Sequence, residues 1–282
     1  MPSDENRHPT LTYFTGATPI FASQADQRVS YCLYIPKRAE GDPERFPLIV
    51  LQHGTARTAA RYRDAFRDFC DQHRCAVVAP LFPAGIGDPD DLHNFKFLAY
   101  GEMRFDLLLL GIVDEVAERF PVMGGKFLMY GFSGGGQFAH RFLYLHPDRL
   151  AAISIGAPGR ITQLDDTLPW WLGTQGMAEI FGAAPDIEAI RNVSIQMVVG
   201  ANDVETWEIN NPGDSNWMDG VELTGDTRIE RLRTLERSFR AHGLDVEFDV
   251  VPDAAHSGLA VRSAVDAFLA RSLRLLTTRA GK

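Results

Sequence analysis

Lys126-Phe127-Leu128-Met129-Tyr130-Gly131-Phe132-Ser133-Gly134-Gly135-Gly136-Gln137-Phe138-Ala139-His140-Arg141-Phe142 is the stretch on which the reading of this chain turns. Residues 127–130 are apolar and about one strand long. Residues 137–142 place apolar side chains at helical spacing, and His146-Pro147 stops that run because proline cannot continue a helix. Between them, Gly131-x-Ser133-x-Gly135 puts a glycine-flanked serine on a sharp strand-to-helix turn. Such a turn holds the serine in a strained backbone conformation with its hydroxyl projecting outward. Only glycine on either side lets strand and helix approach closely enough to make it.

Outward from this turn the chain alternates between buried-strand and amphipathic-helix patterns. Strands are expected at residues 11–14, 20–21, 29–35, 47–52, 75–79, 150–155, 194–199 and 246–251, the central ones as continuous apolar runs of the kind buried on both faces. Helices are expected at residues 59–72, 102–120, 228–242 and 259–276, with a Pro- and Gly-containing acidic loop over 81–95. Residues 1–9 read as a disordered tail. This alternation predicts an α/β fold with a mostly parallel central sheet and helices on both faces. Ligands in such sheets bind where the strands end, and four suggestive groups fall there: His53-Gly54-Thr55, Ser133, Asp203 and His256.

The composition narrows the functional classes. With 45% apolar and 23% charged residues in 282, the chain can bury a sizeable core, and one domain spanning residues 1–282 is expected. A net charge of −9 argues against nucleic acid and against an anionic membrane surface as partners. No apolar run is long enough to span a membrane, and the polar start lacks a signal-peptide core. Three cysteines, Cys32, Cys70 and Cys75, cannot all pair within one chain, so free thiols and a cytoplasmic setting are expected. A small-molecule substrate is the expected partner, and a homo-oligomer is compatible with this surface.

The chain order serine, acid, histidine on these strand ends resembles the α/β-hydrolase superfamily, from about residue 29 to the final helix. The motifs that carry the resemblance are Gly131-Phe132-Ser133-Gly134-Gly135 as nucleophile elbow, Gln52-His53-Gly54 at the oxyanion strand, Val198-Val199-Gly200-Ala201-Asn202-Asp203 for the acid, and Val251-Pro252-Asp253-Ala254-Ala255-His256-Ser257-Gly258 for the base. The extra glycines and a short cap are similar to the serine esterase, dienelactone hydrolase and polyhydroxybutyrate depolymerase branches. The resemblance implies a cofactor-free serine hydrolase acting on a small to medium carboxylic ester, lactone or thioester through an acyl-enzyme. Ser133 would attack, His256 would take its proton, and Asp203 would orient the imidazole. Gly134 and Thr55 would supply oxyanion N–H donors. The same triad can serve an amidase or peptidase, and a hydrolase scaffold can also carry a non-catalytic binding protein.

Each assignment has rivals. His140, His146 and His242 lie in or beside helices and read as partly exposed surface groups. His53 is placed near the substrate as the residue that positions the oxyanion loop through a hydrogen bond. Glu205 and Asp253 compete with Asp203, which follows its strand by the shortest turn. The acidic run Asp88-Pro89-Asp90-Asp91-Leu92-His93 fits no metal-ligand spacing, so no metal is expected. Residues 159–192 read as a small cap or lid and residues 204–225 as an insertion near the site. At least one of Trp170 and Trp171 from the first is expected to line an apolar acyl or alcohol pocket, helped by Trp207 and Trp217 from the second; the alternative is that the pair pins the segment to the core.

Overall fold

A computed structural model describes residues 14–207, 209, 212–213 and 216–280, with backbone only at 279 and 280. The expected tail over 1–9, and all but the last residue of the expected strand at 11–14, lie outside the described residues. Two short strands, β1 (Gly16–Ala17) and β2 (Phe21–Ala22), lead to β3 (Ser30–Ile35) and β4 (Leu48–Gln52). The next segment forms two helices, α1 (Ala59–Ala65) and α2 (Arg67–His73), before β5 (Ala76–Leu81). A hairpin of β6 (Ala99–Tyr100) and β7 (Met103–Arg104) then precedes α3 (Phe105–Arg119). The turn at Ser133 joins β8 (Phe127–Phe132) to α4 (Gly134–Leu145), and β9 (Leu150–Gly156) follows. Two short helices, α5 (Met177–Phe181) and α6 (Ile187–Ile190), intervene before β10 (Ser194–Gly200). The chain closes with α7 (Arg228–Ala241), β11 (Glu247–Val251) and α8 (Arg262–Ala280).

The main sheet has nine strands among the described residues, in the order β1-β3-β5-β4-β8-β9-β10-β11 with β2 also on β3. From β5 to β11 every pairing is parallel, while β3 joins β5 antiparallel. Strands β4 and β8 are buried along their whole length, which is why their sequences run apolar without alternation. Helix α4 packs on β8 and β9, and so does α8, which also meets α2. No helix among the described residues is long and apolar enough to cross a membrane.

Three element boundaries depart from the sequence pattern for identifiable reasons. The helix expected at 59–72 breaks at Phe66, whose fully buried ring packs 5.8 Å from Phe69 and 6.2 Å from Tyr130. Helix α3 starts at Phe105 rather than at 102, because Gly101, at φ 56°, turns the preceding residues into the β6–β7 hairpin. The last helix starts at Arg262 rather than at 259, because Ser257 and Gly258 belong to the loop that presents His256. Helical propensity is a weak prior that packing and turn chemistry override.

Candidate active site

Ser133 sits between β8 and α4 at φ 58° and ψ −117°, a region disfavoured for any side chain larger than hydrogen. Its N–H donates to the Gly156 carbonyl at 2.8 Å, tying the turn to the end of β9. The flanking glycines are sterically required. A Cβ at Gly131 would lie 2.2 Å from the Gly135 carbonyl oxygen, and one at Gly135 would lie 2.3 Å from that of Gln52 on β4. Of residues 131–144, Ser133 alone is not buried. The turn therefore offers solvent one hydroxyl and little else.

The sheet delivers the other two groups to the same place. Asp203 follows β10 and His256 follows β11, and the two exit loops are bonded together: Ala201 N–H donates to Val251 O and Asn202 N–H to Ala254 O. His256 Nδ1–H donates to Asp203 Oδ2 at 2.6 Å, and Ser133 Oγ–H donates to His256 Nε2 at 3.0 Å. The carboxylate thus selects the tautomer that leaves Nε2 free to accept a proton. Asp203 is fully buried, with Arg228 Nη1 3.5 Å from its second oxygen. The His256 loop is braced from beneath, since Tyr130 OH donates to Gly258 O at 2.8 Å and the Phe132 ring lies 5.0 Å from the imidazole. The rival acids Glu205 and Asp253 are exposed.

Thr55 lies beside the turn. A Cβ on Gly134 would fall 3.1 Å from the Thr55 backbone nitrogen, so the two amides expected to serve an oxyanion are neighbours. Behind them, His53 is buried. Its Nδ1–H donates to Gly54 O at 2.8 Å, and its Nε2 accepts from Phe82 N–H at 3.0 Å. With both nitrogens engaged, it fixes the loop after β4 through the hydrogen bond to Gly54 O expected of it, from a buried position behind the two amides. Arg57, which the sequence reading missed, clamps the same loop through Thr55 O at 2.6 Å and Leu92 O at 2.9 Å. Nothing in the local sequence marks it out.

His140 differs from its reading as a partly exposed surface group, whereas His146 and His242 keep exposed surface. His140 is fully buried, donating to Gly136 O at 2.8 Å and accepting from Thr162 N–H at 3.0 Å. His146 is half-buried and lies 2.8 Å from the buried Asp106 carboxylate. Burial pushes His53 from its ordinary 6.5 down to about 3, and pushes His140 well below the ordinary histidine value. Below pH 6.5 the unfolded chain binds protons that the folded imidazoles refuse, so the stability that His53 contributes is complete above its unfolded value and declines toward 3, at about 1.4 kcal/mol per pH unit. His140 acts in the same direction. Urea midpoints measured at about pH 7.5 and about pH 5 are expected to show this drop, and equal midpoints would contradict it.

The tryptophans of the cap take partners inside the protein. Trp171 is buried with Leu172 and Val221 in a satellite cluster against which Phe97 and Met218 pack. Trp170 lies edge-on to Phe181 at 4.9 Å. Both indoles flank the buried Arg141 guanidinium at 5.8 Å. These contacts pin the segment to α4, while Trp170 stays only partly buried. Trp207, by contrast, is 59% exposed, with its carbonyl oxygen 3.5 Å from Arg228 Nη2. In the acidic run, Asp88 and Asp91 carboxylates accept from backbone N–H groups of Asp90, His93 and Asn94.

No family model matches the chain, and no curated protein matches it in sequence. Solved structures do. A poly(aspartic acid) hydrolase-1 from Sphingomonas superposes with a TM-score of 0.73 at 19% identity, over 90% of this chain and 98% of that one. A poly(3-hydroxybutyrate) depolymerase from Bordetella parapertussis gives 0.66 at 21% identity, over 86% and 83% of the two chains. An S-formylglutathione hydrolase from Agrobacterium tumefaciens gives 0.58 at 15% identity, over 92% and 95%. Together with the parallel sheet and the strand-turn-helix at Ser133, these likenesses identify the chain as an α/β-hydrolase in fold.

Proposed function

We propose that the protein is a serine hydrolase that cleaves a small to medium carboxylic ester, lactone or thioester through an acyl-enzyme. The observation that carries this reading is the continuous hydrogen-bonded line from Ser133 Oγ through His256 to Asp203, on a strained turn that exposes only the serine. A serine hydroxyl is a weak nucleophile at neutral pH, so attack on a carbonyl requires its proton to pass to His256 Nε2 as the C–O bond forms. Asp203 holds the ring in place and offsets the imidazolium charge. The Gly134 and Thr55 N–H groups receive the oxyanion, where losing one such donor typically costs about 3 kcal/mol in the barrier. His256 then returns its proton to the leaving alcohol or thiol, and water repeats the sequence on the acyl-enzyme. That the neighbouring folds include, by name, a poly(aspartic acid) hydrolase, a poly(3-hydroxybutyrate) depolymerase and an S-formylglutathione hydrolase supports hydrolysis as the reaction class.

Exposed Trp207 and Trp217 stand on the insertion that also reaches Arg228, a placement that supports a role at the substrate rim. All three cysteines are buried and unbridged, which supports a reducing, cytoplasmic setting. The direct test is turnover of a 4-nitrophenyl alkanoate by the wild type and by Ser133→Ala. Hydrolysis that disappears in the variant is expected, whereas equal turnover by both would exclude Ser133 as nucleophile.

A further inference from the structure

All of the buried lysine and arginine residues among those described belong to one group beside the nucleophile turn, in a chain whose net charge is −9. They are Lys96, Arg141, Arg160, Arg228 and Arg231, each at most 3% exposed. Long cationic side chains are seldom buried this deeply, because leaving water costs several kcal/mol per ion unless opposite charge is supplied. Five in one place, next to a reacting group, is a field built for something negative.

Their positions relative to the chemistry are specific. Lys96 lies on the 3-10 turn Asn94–Phe97, which lays its side chain across the nucleophile turn. A Cβ on Gly134 would be 3.0 Å from Lys96 Cε, so the ammonium end of the chain lies beside the amide expected to bind the oxyanion. Lys96 Nζ donates to His93 Nδ1 at 2.8 Å, which orients it. From behind, Arg141 Nη1 donates to Lys96 O at 2.6 Å, and its buried Nη2 has no protein partner. On the other side, Ser133 N–H is bonded to Gly156, and four residues later comes Arg160. Arg231 Nη1 donates to Gly159 O at 2.8 Å, and Arg228 contacts Asp203. Burial, with the Arg160 charge nearby, lowers Arg141 to about 9 and Arg231 to about 10. Lys96, Arg160 and Arg231 make further contacts of their own, so an incoming anion would share these cations with protein partners.

We propose that the substrate carries a carboxylate close to the scissile carbonyl, and that Lys96, backed by the arginine group, forms the subsite that binds it. This rests on the serine-hydrolase reading above and names the substrate class of that site. The Lys96 ammonium is a point charge with three donors, suited to a flexible carboxylate. A neutral acyl chain of equal length would leave the field unmatched and forfeit the attraction.

The test compares 4-nitrophenyl hemisuccinate with 4-nitrophenyl butyrate, which are similar in length and differ in charge. In the wild type the ratio of kcat/KM values, anionic over neutral, is expected to exceed one and to fall when the ionic strength is raised from about 0.05 to about 0.5 M. In Lys96→Gln that ratio should fall at least about tenfold, mostly through KM for the hemisuccinate, and Lys96→Arg should retain most of it. A wild-type ratio at or below one, or a ratio unmoved by salt and by Lys96→Gln, would overturn the subsite. Failure to cleave either ester would instead count against the hydrolase reading. Calorimetric binding of the methyl hemisuccinate anion and of methyl butyrate to Ser133→Ala then decides the subsite without turnover. Tighter binding of the anion that is lost in Ser133→Ala/Lys96→Gln supports it, and equal binding refutes it.

Discussion

Replacing His256 by alanine is expected to lower kcat for ester hydrolysis by roughly 10⁴- to 10⁶-fold, with KM changed far less. The size follows from the geometry. His256 is the group that bridges Ser133 Oγ at 3.0 Å and Asp203 Oδ2 at 2.6 Å, so its loss removes the proton acceptor and disconnects the carboxylate at once. Groups that act as one unit fail together, so adding Asp203→Asn to His256→Ala should cost little more. The protein itself should stay folded, because the β10 and β11 exit loops are joined by backbone hydrogen bonds that do not involve the imidazole. Steady-state kinetics with a parallel circular dichroism spectrum check both halves. A folded variant that keeps more than about a tenth of the wild-type kcat would remove His256 from the chemistry.

The second large effect is structural. Gly135→Ala is expected to destabilise the protein by about 3 kcal/mol or more, because the added methyl would lie 2.3 Å from Gln52 O and 2.9 Å from His53 O. Both atoms are backbone, belonging to β4 and the start of the loop that follows it, so neither can rotate away. The relief available is to push α4 off the sheet, which moves Ser133 as well. Gly125→Ala is the matched control, since nothing lies within 4 Å of its Cβ position and its effect should stay within about 0.5 kcal/mol. Urea denaturation of the two variants beside the wild type measures the difference. Equal midpoints for both would mean that the turn is looser than these distances require.

The two effects share a cause, and that cause is what made the site partly legible beforehand. A strand-to-helix turn this tight leaves a mark in sequence, because glycine is the residue that fits at 131 and 135. Asp203 and His256 were legible for a different reason. Each comes within a few residues of the end of a segment whose pattern reads as a strand, an apolar run for Asp203 and an alternating one for His256, and parallel topology brings successive strand ends together. The supporting groups left no comparable trace. Arg228 opens α7 behind a Thr227–Glu230 capping box, a pattern that marks a helix start and says nothing of a carboxylate 3.5 Å away. Arg57 and Lys96 come from loops whose paths depend on the packing of Phe82, Phe95 and Phe138. His140 has helical neighbours on both sides, and only the fold reveals that its ring reaches Thr162 across 22 positions of sequence. Trp170 and Trp171 have partners that no local pattern announces: they flank a buried guanidinium and anchor the segment.

Lys96 extends this point from structure to specificity. The charge of the whole chain argues against acidic partners, while the buried charge beside Ser133 argues for an acidic substrate. Net charge governs long-range encounter with large surfaces, whereas a small substrate in a cleft responds to the ions within a few ångströms of it. The two statements therefore concern different distances and do not conflict.

The most direct measurement of the central assignment is reaction with a fluorophosphonate probe, read by intact mass and peptide mapping on the wild type, Ser133→Ala and His256→Ala. A single adduct on Ser133, absent from the first variant and greatly slowed in the second, is the expected result. Folded wild-type protein that takes no adduct, or one that takes it at another serine, would contradict the assignment of Ser133 as the activated nucleophile.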